Sequence, residues 1–158
     1  MPFSALKAVV YDFSPSRAGE HVRNFLGDWN GKLVCDDFAG YKAGFEQGIT
    51  ETGCMAHVRR KFFDLHVANK SQLAEQALHS ISGLYEMERQ ARDMSDEERW
   101  RIRQERAVPI IKNCMTGCWP STTLCLTYQP AKALDYSLKR WVALARYLDD
   151  GAVPIDNN

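Results

Sequence analysis

The sequence has no hydrophobic run that could cross a membrane and no excess of either charge. No stretch of 18 or more apolar residues occurs within its 158 residues, which excludes a membrane-spanning helix. Lys and Arg together number 20, as do Asp and Glu, and this balance argues against a strongly basic nucleic-acid coat protein. The first residues lack the basic start and the small-residue cleavage site of a secretory signal.

Cysteine is scarce and unevenly spaced. The five cysteines are Cys35, Cys54, Cys114, Cys118 and Cys125. An odd number without regular spacing is not typical of a disulfide framework, so we expect reduced thiols and a cytoplasmic protein. The sequence also lacks a phosphate-binding loop and the glycine pattern of dinucleotide-binding folds.

Strand-like and helical patterns alternate in the first third of the sequence. They predict strands at residues 6–13, 32–36 and 53–58, with helices at 17–29 and 38–45 between them. This order predicts an α/β fold with about three strands in a parallel or mixed sheet, covered by helices.

The sequence from residue 59 onward predicts a mainly α-helical region. Ser95 and Glu98 form a capping-box pattern that begins a charged helix. We expect its arginines, from Arg99 to Arg106, to form a solvated face paired with nearby glutamates. Pro109 is expected to bend or end this helix, and residues 132–148 predict a further amphipathic helix.

Two adjacent carboxylates, Asp36 and Asp37, follow the second predicted strand. The carboxyl end of a strand in an α/β sheet is where metals and substrates commonly bind. A two-metal site needs several carboxylates, and adjacent strand residues point to opposite faces, so this pair alone does not build one. The alternative is that both residues cap the next helix.

A basic cluster of Arg59, Arg60 and Lys61 follows the third predicted strand. These side chains could neutralise the phosphates of DNA. The alternative is a solvated helix start, although cations in the first turns of a helix oppose its dipole.

A zinc site is a further alternative for this region. Cys54 and His57 have the spacing of half a site, and Cys114 with Cys118 could supply the other half. The simpler interpretation is a Cys and a His packed at the end of a strand. Purified protein with stoichiometric zinc would favour the metal site.

Several stretches together resemble the IS66 family of insertion-sequence transposases. They are VVYDFSPSR at 9–17, LVCDDFAGY at 33–41, GCMAHVRRKFF at 53–63, LDYSLKRW at 134–141, YLDDG at 147–151 and PIDNN at 154–158. The resemblance implies a ribonuclease-H-like core whose Asp-Asp-Glu triad binds two Mg²⁺ ions. Water, and later a DNA 3′-hydroxyl, would attack a phosphodiester in line.

The resemblance assigns roles to individual residues. Asp36 matches the second catalytic Asp and would be both a catalytic residue and a Mg²⁺ ligand. Asp37 stands where the family often has Gly, and we interpret it as a helix cap. Cys54, His57 and the basic residues 59–61 also match, which supports DNA binding by that cluster.

The family pattern places the first catalytic Asp on an earlier strand and the catalytic Glu after the motif at 156–158. We therefore expect a transposase fragment that is inactive alone. Its expected parts are a partial ribonuclease-H-like core at 1–58, a helical insertion at 59–148 and a segment leading to the Glu at 149–158. The alternative is a non-catalytic DNA-binding or regulatory module that associates with itself or with intact transposase and interferes with it.

Residues 114–128 differ from the family and from the sequence on either side. They carry no charge, are rich in Thr and Cys, and show no hydrophobic period. A pair of compensating frameshifts would produce such a segment, and this origin is a hypothesis.

Overall fold

The computed structural model describes residues 10–114 and 130–157, and this part of the chain is mostly helical. The helices are α1 (Gly19–Leu26), α2 (Lys42–Glu46), α3 (Met55–Asn69), α4 (Gln72–Gln90), α5 (Asp96–Ile102), α6 (Val108–Asn113), α7 (Pro130–Lys139) and α8 (Trp141–Ala145). Short 3₁₀ turns cover Ala39–Tyr41 and Arg146–Asp149, and a π-helical segment covers Arg103–Ala107. None of the described helices is both long and apolar enough to cross a membrane.

Two strands, β1 (Lys32–Cys35) and β2 (Thr50–Gly53), form a parallel sheet within the described residues. Lys32 pairs with Thr50 and Cys35 with Gly53. Parallel neighbours require a crossover connection, which residues 36–49 supply through a 3₁₀ turn and α2. The predicted α/β order is therefore present as one β1–α2–β2 unit.

The prediction of about three strands is only partly confirmed. Residues 10–13 form no strand, and the side chains of Tyr11 and Phe13 are 93% and 89% exposed. Residues 6–9 of that predicted strand lie outside the described residues. The predicted strand at 53–58 is wrong, since the strand ends at Gly53 and α3 begins at Met55.

The pattern does not predict the true second strand, because three of its four residues are polar and the fourth is glycine. Thr50–Gly53 has no apolar alternation, yet Thr52 is fully buried. Gly53 lets α8 pack closely on this strand, because a Cβ at that position would lie 2.8 Å from Cδ2 of Leu144.

The hydrophobic core lies where α3 and α4 pack against the segment that runs from α7 to residue 155. Its buried residues include Phe62, Leu65, Ile81, Leu84, Met87, Leu144 and Tyr147. Met55, Leu84 and Val153 belong to the same cluster although they come from the three predicted parts of the chain. The division at residues 58 and 148 stays a prediction.

The capping box is confirmed, and Pro109 does not end the helical conformation. Ser95 Oγ accepts a hydrogen bond from the Glu98 N–H, and a Glu98 carboxylate oxygen accepts one from the Ser95 N–H at 2.9 Å. The helical conformation continues through Pro109, which is placed in the first turn of α6 directly after the π-helical segment. The wider π turn accommodates the proline ring and its missing N–H.

The arginine run is not a uniformly solvated face. Arg101 does form the expected exposed pair with Glu97, at 2.6 Å. Arg103 is instead fully buried and binds both carboxylate oxygens of Glu88 at 2.8 Å. Its remaining nitrogen donates to the carbonyl oxygens of Tyr147 and Asp150. One guanidinium therefore ties α4 to the end of the C-terminal helical segment.

We expect Glu88→Gln to lower the free energy of unfolding by about 3 kcal/mol, because it leaves the buried charge of Arg103 without a carboxylate. Urea denaturation monitored by circular dichroism measures this change. Glu97→Gln is the matched control, since Glu97 is exposed and its loss should leave the unfolding midpoint unchanged. Equal effects of the two substitutions would contradict a structural role for the buried pair.

Candidate functional site

Asp36 directly follows β1 at the carboxyl end of the sheet, as the sequence predicted. Its Oδ1 accepts a hydrogen bond from the N–H of Phe38 at 3.1 Å, which holds the side chain in an Asx turn. Its Oδ2 lies 3.9 Å from Nε2 of His57, and the side chain is 36% exposed. Asp36 therefore presents one carboxylate oxygen toward solvent and the start of α3.

An open depression of about 510 Å³ surrounds this carboxylate. We call it the Asp36 cavity, and its lining residues are Arg17, Asp36, Asp37, Phe38, Ala39, His57, Lys61 and Tyr136. These residues come from the loops before α1 and after β1, from the start of α3 and from α7. Residues from widely separated parts of the sequence thus meet around Asp36.

Lys61 supplies a positive charge at the edge of the Asp36 cavity. Its Nζ lies 4.5 Å from the centroid of the Tyr136 ring, within the range of a cation–π interaction. Burial raises the pKa of Tyr136 to about 12, an effect that the nearby Arg140 opposes. The Tyr136 hydroxyl is therefore protonated at neutral pH and can donate a hydrogen bond.

The predicted basic cluster divides between two surfaces. Arg59, Arg60 and Lys61 are all exposed on α3, but successive helical residues point about 100° apart. Lys61 lines the Asp36 cavity. Arg59 and Arg60 line a second depression, the arginine cleft, together with the arginines at positions 89, 92, 99 and 103.

Asp37 is not a helix cap, which corrects the sequence-based interpretation. The 3₁₀ turn that follows has Phe38 at its N-cap and no side-chain capping bond. Asp37 Oδ1 instead accepts a hydrogen bond from Nη1 of Arg140 at 3.0 Å. A partner 103 residues away in the sequence therefore determines where this carboxylate points.

Arg140 is the residue at this site that sequence reasoning missed. Its side chain is 8% exposed, and Nη1 lies 2.8 Å from a carboxylate oxygen of Glu51 on β2. Its Nη2 donates to the carbonyl oxygen of Cys35, the last residue of β1. A signal for burial was present, because Arg140 falls at helical spacing from the buried Ala133 and Ser137.

The predicted helix at 132–148 is interrupted at Arg140, since α7 ends at Lys139 and α8 begins at Trp141. Arg140 has φ −102° and ψ 9°, which interrupts the regular helix between α7 and α8. The interruption aims the guanidinium at the sheet. Asp37 and the Cys35 carbonyl accept its hydrogen bonds, and Glu51 of β2 forms an ion pair with it.

The start of α3 also binds the segment at 155–157. The Cys54 thiol donates a hydrogen bond to Oδ1 of Asn157 at 3.0 Å. The Met55 N–H donates to the carbonyl oxygen of Ile155 at 3.1 Å. Most of the Asp-Asn-Asn motif therefore lies beside the helix whose His57 faces Asp36, while Asn158 lies outside the described residues.

The cysteines behave as reduced thiols where they are described. Cys35, Cys54 and Cys114 form no disulfide with any described residue, and burial raises the pKa of the Cys35 thiol to about 11. No three or more His, Cys, Asp or Glu residues in 10–114 and 130–157 are grouped so that they could hold a metal ion. Cys118 of the zinc hypothesis, Cys125 and the rest of segment 115–128 lie outside the described residues.

We expect Arg140→Met to lower the free energy of unfolding by about 2 kcal/mol, less than for a fully buried pair because Asp37 remains partly hydrated. Thermal and urea unfolding measure the change. Lys139→Met is the matched control, because Lys139 is 71% exposed and should leave the unfolding midpoint unchanged. An unchanged midpoint for Arg140→Met would show that the contacts of Arg140 with both strands and Asp37 do not stabilise the fold.

Comparisons with known proteins place this chain in a family. It is 31% identical to the uncharacterized protein y4qI of Sinorhizobium fredii over 160 residues, which cover 95% of this chain and 30% of that relative. It is 32% identical to the uncharacterized protein y4hP of the same organism over 173 residues, with coverages of 98% and 31%. The chain thus spans less than a third of these relatives, and no solved structure matches it. Because residues 2–158 match the Transposase IS66 family, the chain belongs to the IS66 family of transposases.

Proposed function

We propose that this chain is part of the catalytic domain of a DDE-type DNA transposase, in which Asp36 supplies one carboxylate to a divalent-metal site. Family membership supports a transposase-related role. The observation that carries the assignment to Asp36 is its position directly after β1, in an open cavity that also contains Lys61. The β1–α2–β2 unit is then part of a ribonuclease-H-like core.

The type of donor at this site suits Mg²⁺, but the number of donors does not complete a two-metal centre. Mg²⁺ binds carboxylate oxygens and retains several waters, and Asp36 Oδ2 has no hydrogen bond within the described residues. Asp37 is already paired with Arg140. Two-metal phosphoryl transfer needs further carboxylates around both ions, and other parts of the intact transposase would supply them.

The remaining cavity residues would bind and orient DNA. Lys61 is exposed at the edge of the cavity, where its ammonium can neutralise a phosphate next to Asp36. Tyr136 holds that ammonium above its ring and presents a protonated hydroxyl. A bound Mg²⁺ ion would supply charge stabilisation for the phosphodiester that reacts, in the cleavage and strand-transfer steps of transposition.

We expect the isolated chain to bind Mn²⁺, a spectroscopic substitute for Mg²⁺, weakly and to leave supercoiled DNA uncut. Electron paramagnetic resonance measures free Mn²⁺, and gel electrophoresis measures nicking. Asp36→Asn should weaken Mn²⁺ binding by about tenfold because it removes the charged ligand. Asp37→Asn, the matched control, should change it little, since Asp37 is committed to Arg140.

One result would contradict the proposed role of Asp36, and another would contradict the expected inactivity of the isolated chain. Unchanged Mn²⁺ binding in Asp36→Asn would remove Asp36 from the metal site. Mg²⁺-dependent cleavage by the isolated chain that disappears in Asp36→Asn would keep the role of Asp36 but would show that the chain is active alone.

A second candidate function is a DNA-binding or regulatory module that interferes with intact transposase. The exposure of Arg59 and Arg60 outside the Asp36 cavity favours it, because these residues could hold DNA without taking part in the reaction. Co-expression with an intact transposase of this family should then lower the transposition frequency. Substituting Ala at Arg59, Arg60 and Lys61 should restore the frequency, whereas equal inhibition by both forms would exclude DNA competition.

A further inference from the structure

The arginine cleft lies beside α3, apart from the Asp36 cavity. It has a volume of about 920 Å³ and is bordered by α3, α4 and residues 152–156. Its cationic residues are Arg59, Arg60, Arg89, Arg92, Arg99 and Arg103. Three carboxylates, those of Glu86, Glu88 and Asp156, line it as well.

Each of these carboxylates is already engaged within the fold. Glu88 binds Arg103 through both oxygens. Glu86 accepts hydrogen bonds from Arg89 and Gln90, which hold the pKa of its carboxyl below the ordinary value. Asp156 accepts a hydrogen bond from the Tyr85 hydroxyl. The three carboxylates are therefore already bonded to other residues of the fold, and the arginines give the cleft a positive surface.

The arginines divide into structural and exposed groups. Arg103 is buried, and Arg99 donates to backbone carbonyl oxygens, including that of Gly151 at 2.8 Å. Arg59, Arg60 and Arg92 are exposed and form no ion pair with any residue of 10–114 or 130–157. They come from α3 and from just beyond the end of α4, so two separate elements direct uncommitted guanidinium groups at one cleft.

We propose that the arginine cleft binds the sugar–phosphate backbone of duplex DNA, as a surface separate from the Asp36 cavity. The inference rests on the proposed function for its choice of DNA as ligand, and it adds Arg92 to the DNA-contacting residues. Guanidinium groups make paired hydrogen bonds with phosphate oxygens. Backbone contacts of this kind set the register of a protein on DNA without reading its sequence.

The geometry of α3 connects the two sites. His57 and Lys61 line the Asp36 cavity, while Arg59 and Arg60 line the arginine cleft. These residues lie within about 6 Å of one another along the helix axis, on different faces of the helix. A DNA backbone held in the cleft would therefore run past the same two turns of α3 that border the cavity, and the arginines would position it relative to Asp36.

Fluorescence anisotropy with a labelled duplex of mixed sequence, measured at several salt concentrations, tests the proposal. The double variant R59Q/R92Q should bind more weakly than the unaltered chain. The slope of log K against log salt concentration should become shallower by about 1.8, because each phosphate that is no longer neutralised reduces it by about 0.9. R101Q/K139Q is the matched control, because it removes two exposed cations that lie outside the cleft.

The outcomes separate this proposal from the proposed function. An unchanged salt slope in R59Q/R92Q, together with a loss of binding in K61Q, would overturn DNA binding by the arginine cleft. It would still support DNA binding at the Asp36 cavity. Equal losses of DNA affinity in R59Q/R92Q and R101Q/K139Q would show that the effect comes from net charge alone, and would also overturn the proposed role of the cleft. Absence of duplex binding, or a preference for RNA, would also overturn the proposed role of the cleft. The metal site is tested independently, by Mn²⁺ binding at Asp36. Matching circular dichroism spectra establish that every variant is folded.

Discussion

The hydrogen bonds of one buried guanidinium hold the sheet and the candidate site together. A two-stranded sheet is too small to be stable without packing against other elements, and here Arg140 joins it to the C-terminal helices. It binds the last carbonyl of β1, a carboxylate on β2 and Asp37. Because Asp37 is drawn toward Arg140, the two adjacent aspartates have different surroundings, and Asp36 is left facing the cavity.

Helix α3 is the structural element that the two candidate surfaces share. Its N-terminus is anchored by contacts with the segment at 155–157, and its buried face, with Val58, Phe62 and Leu65, contributes to the core. Apolar packing therefore sets the orientation of the helix, and this orientation decides where its exposed cations are directed. Lys61 is directed to the cavity that holds Asp36, and Arg59 and Arg60 to the arginine cleft.

The relation between this chain and its family explains the incomplete appearance of the site. The chain spans less than a third of the length of the curated relatives that it matches, so the activity of a whole transposase belongs to a larger assembly of residues. What this part contributes is a carboxylate at the end of a strand, a cation beside it and a positive cleft next to both. In the function proposed for the intact protein, these elements would hold DNA near a metal-binding carboxylate.

Patterns between near neighbours in the sequence were enough to predict β1, most of the helices, the Ser95–Glu98 capping box and, through its motifs, the IS66 family. The predicted strand, helices and capping box depend on hydrogen bonds or hydrophobic periods that span only a few residues. The position of β2, the burial of Arg103 and Arg140, and the pairing of Asp37 could not be predicted in this way. They depend on partners distant in sequence, as Asp37 does on Arg140, and a charged residue enters the interior only where folding brings its counter-charge to it.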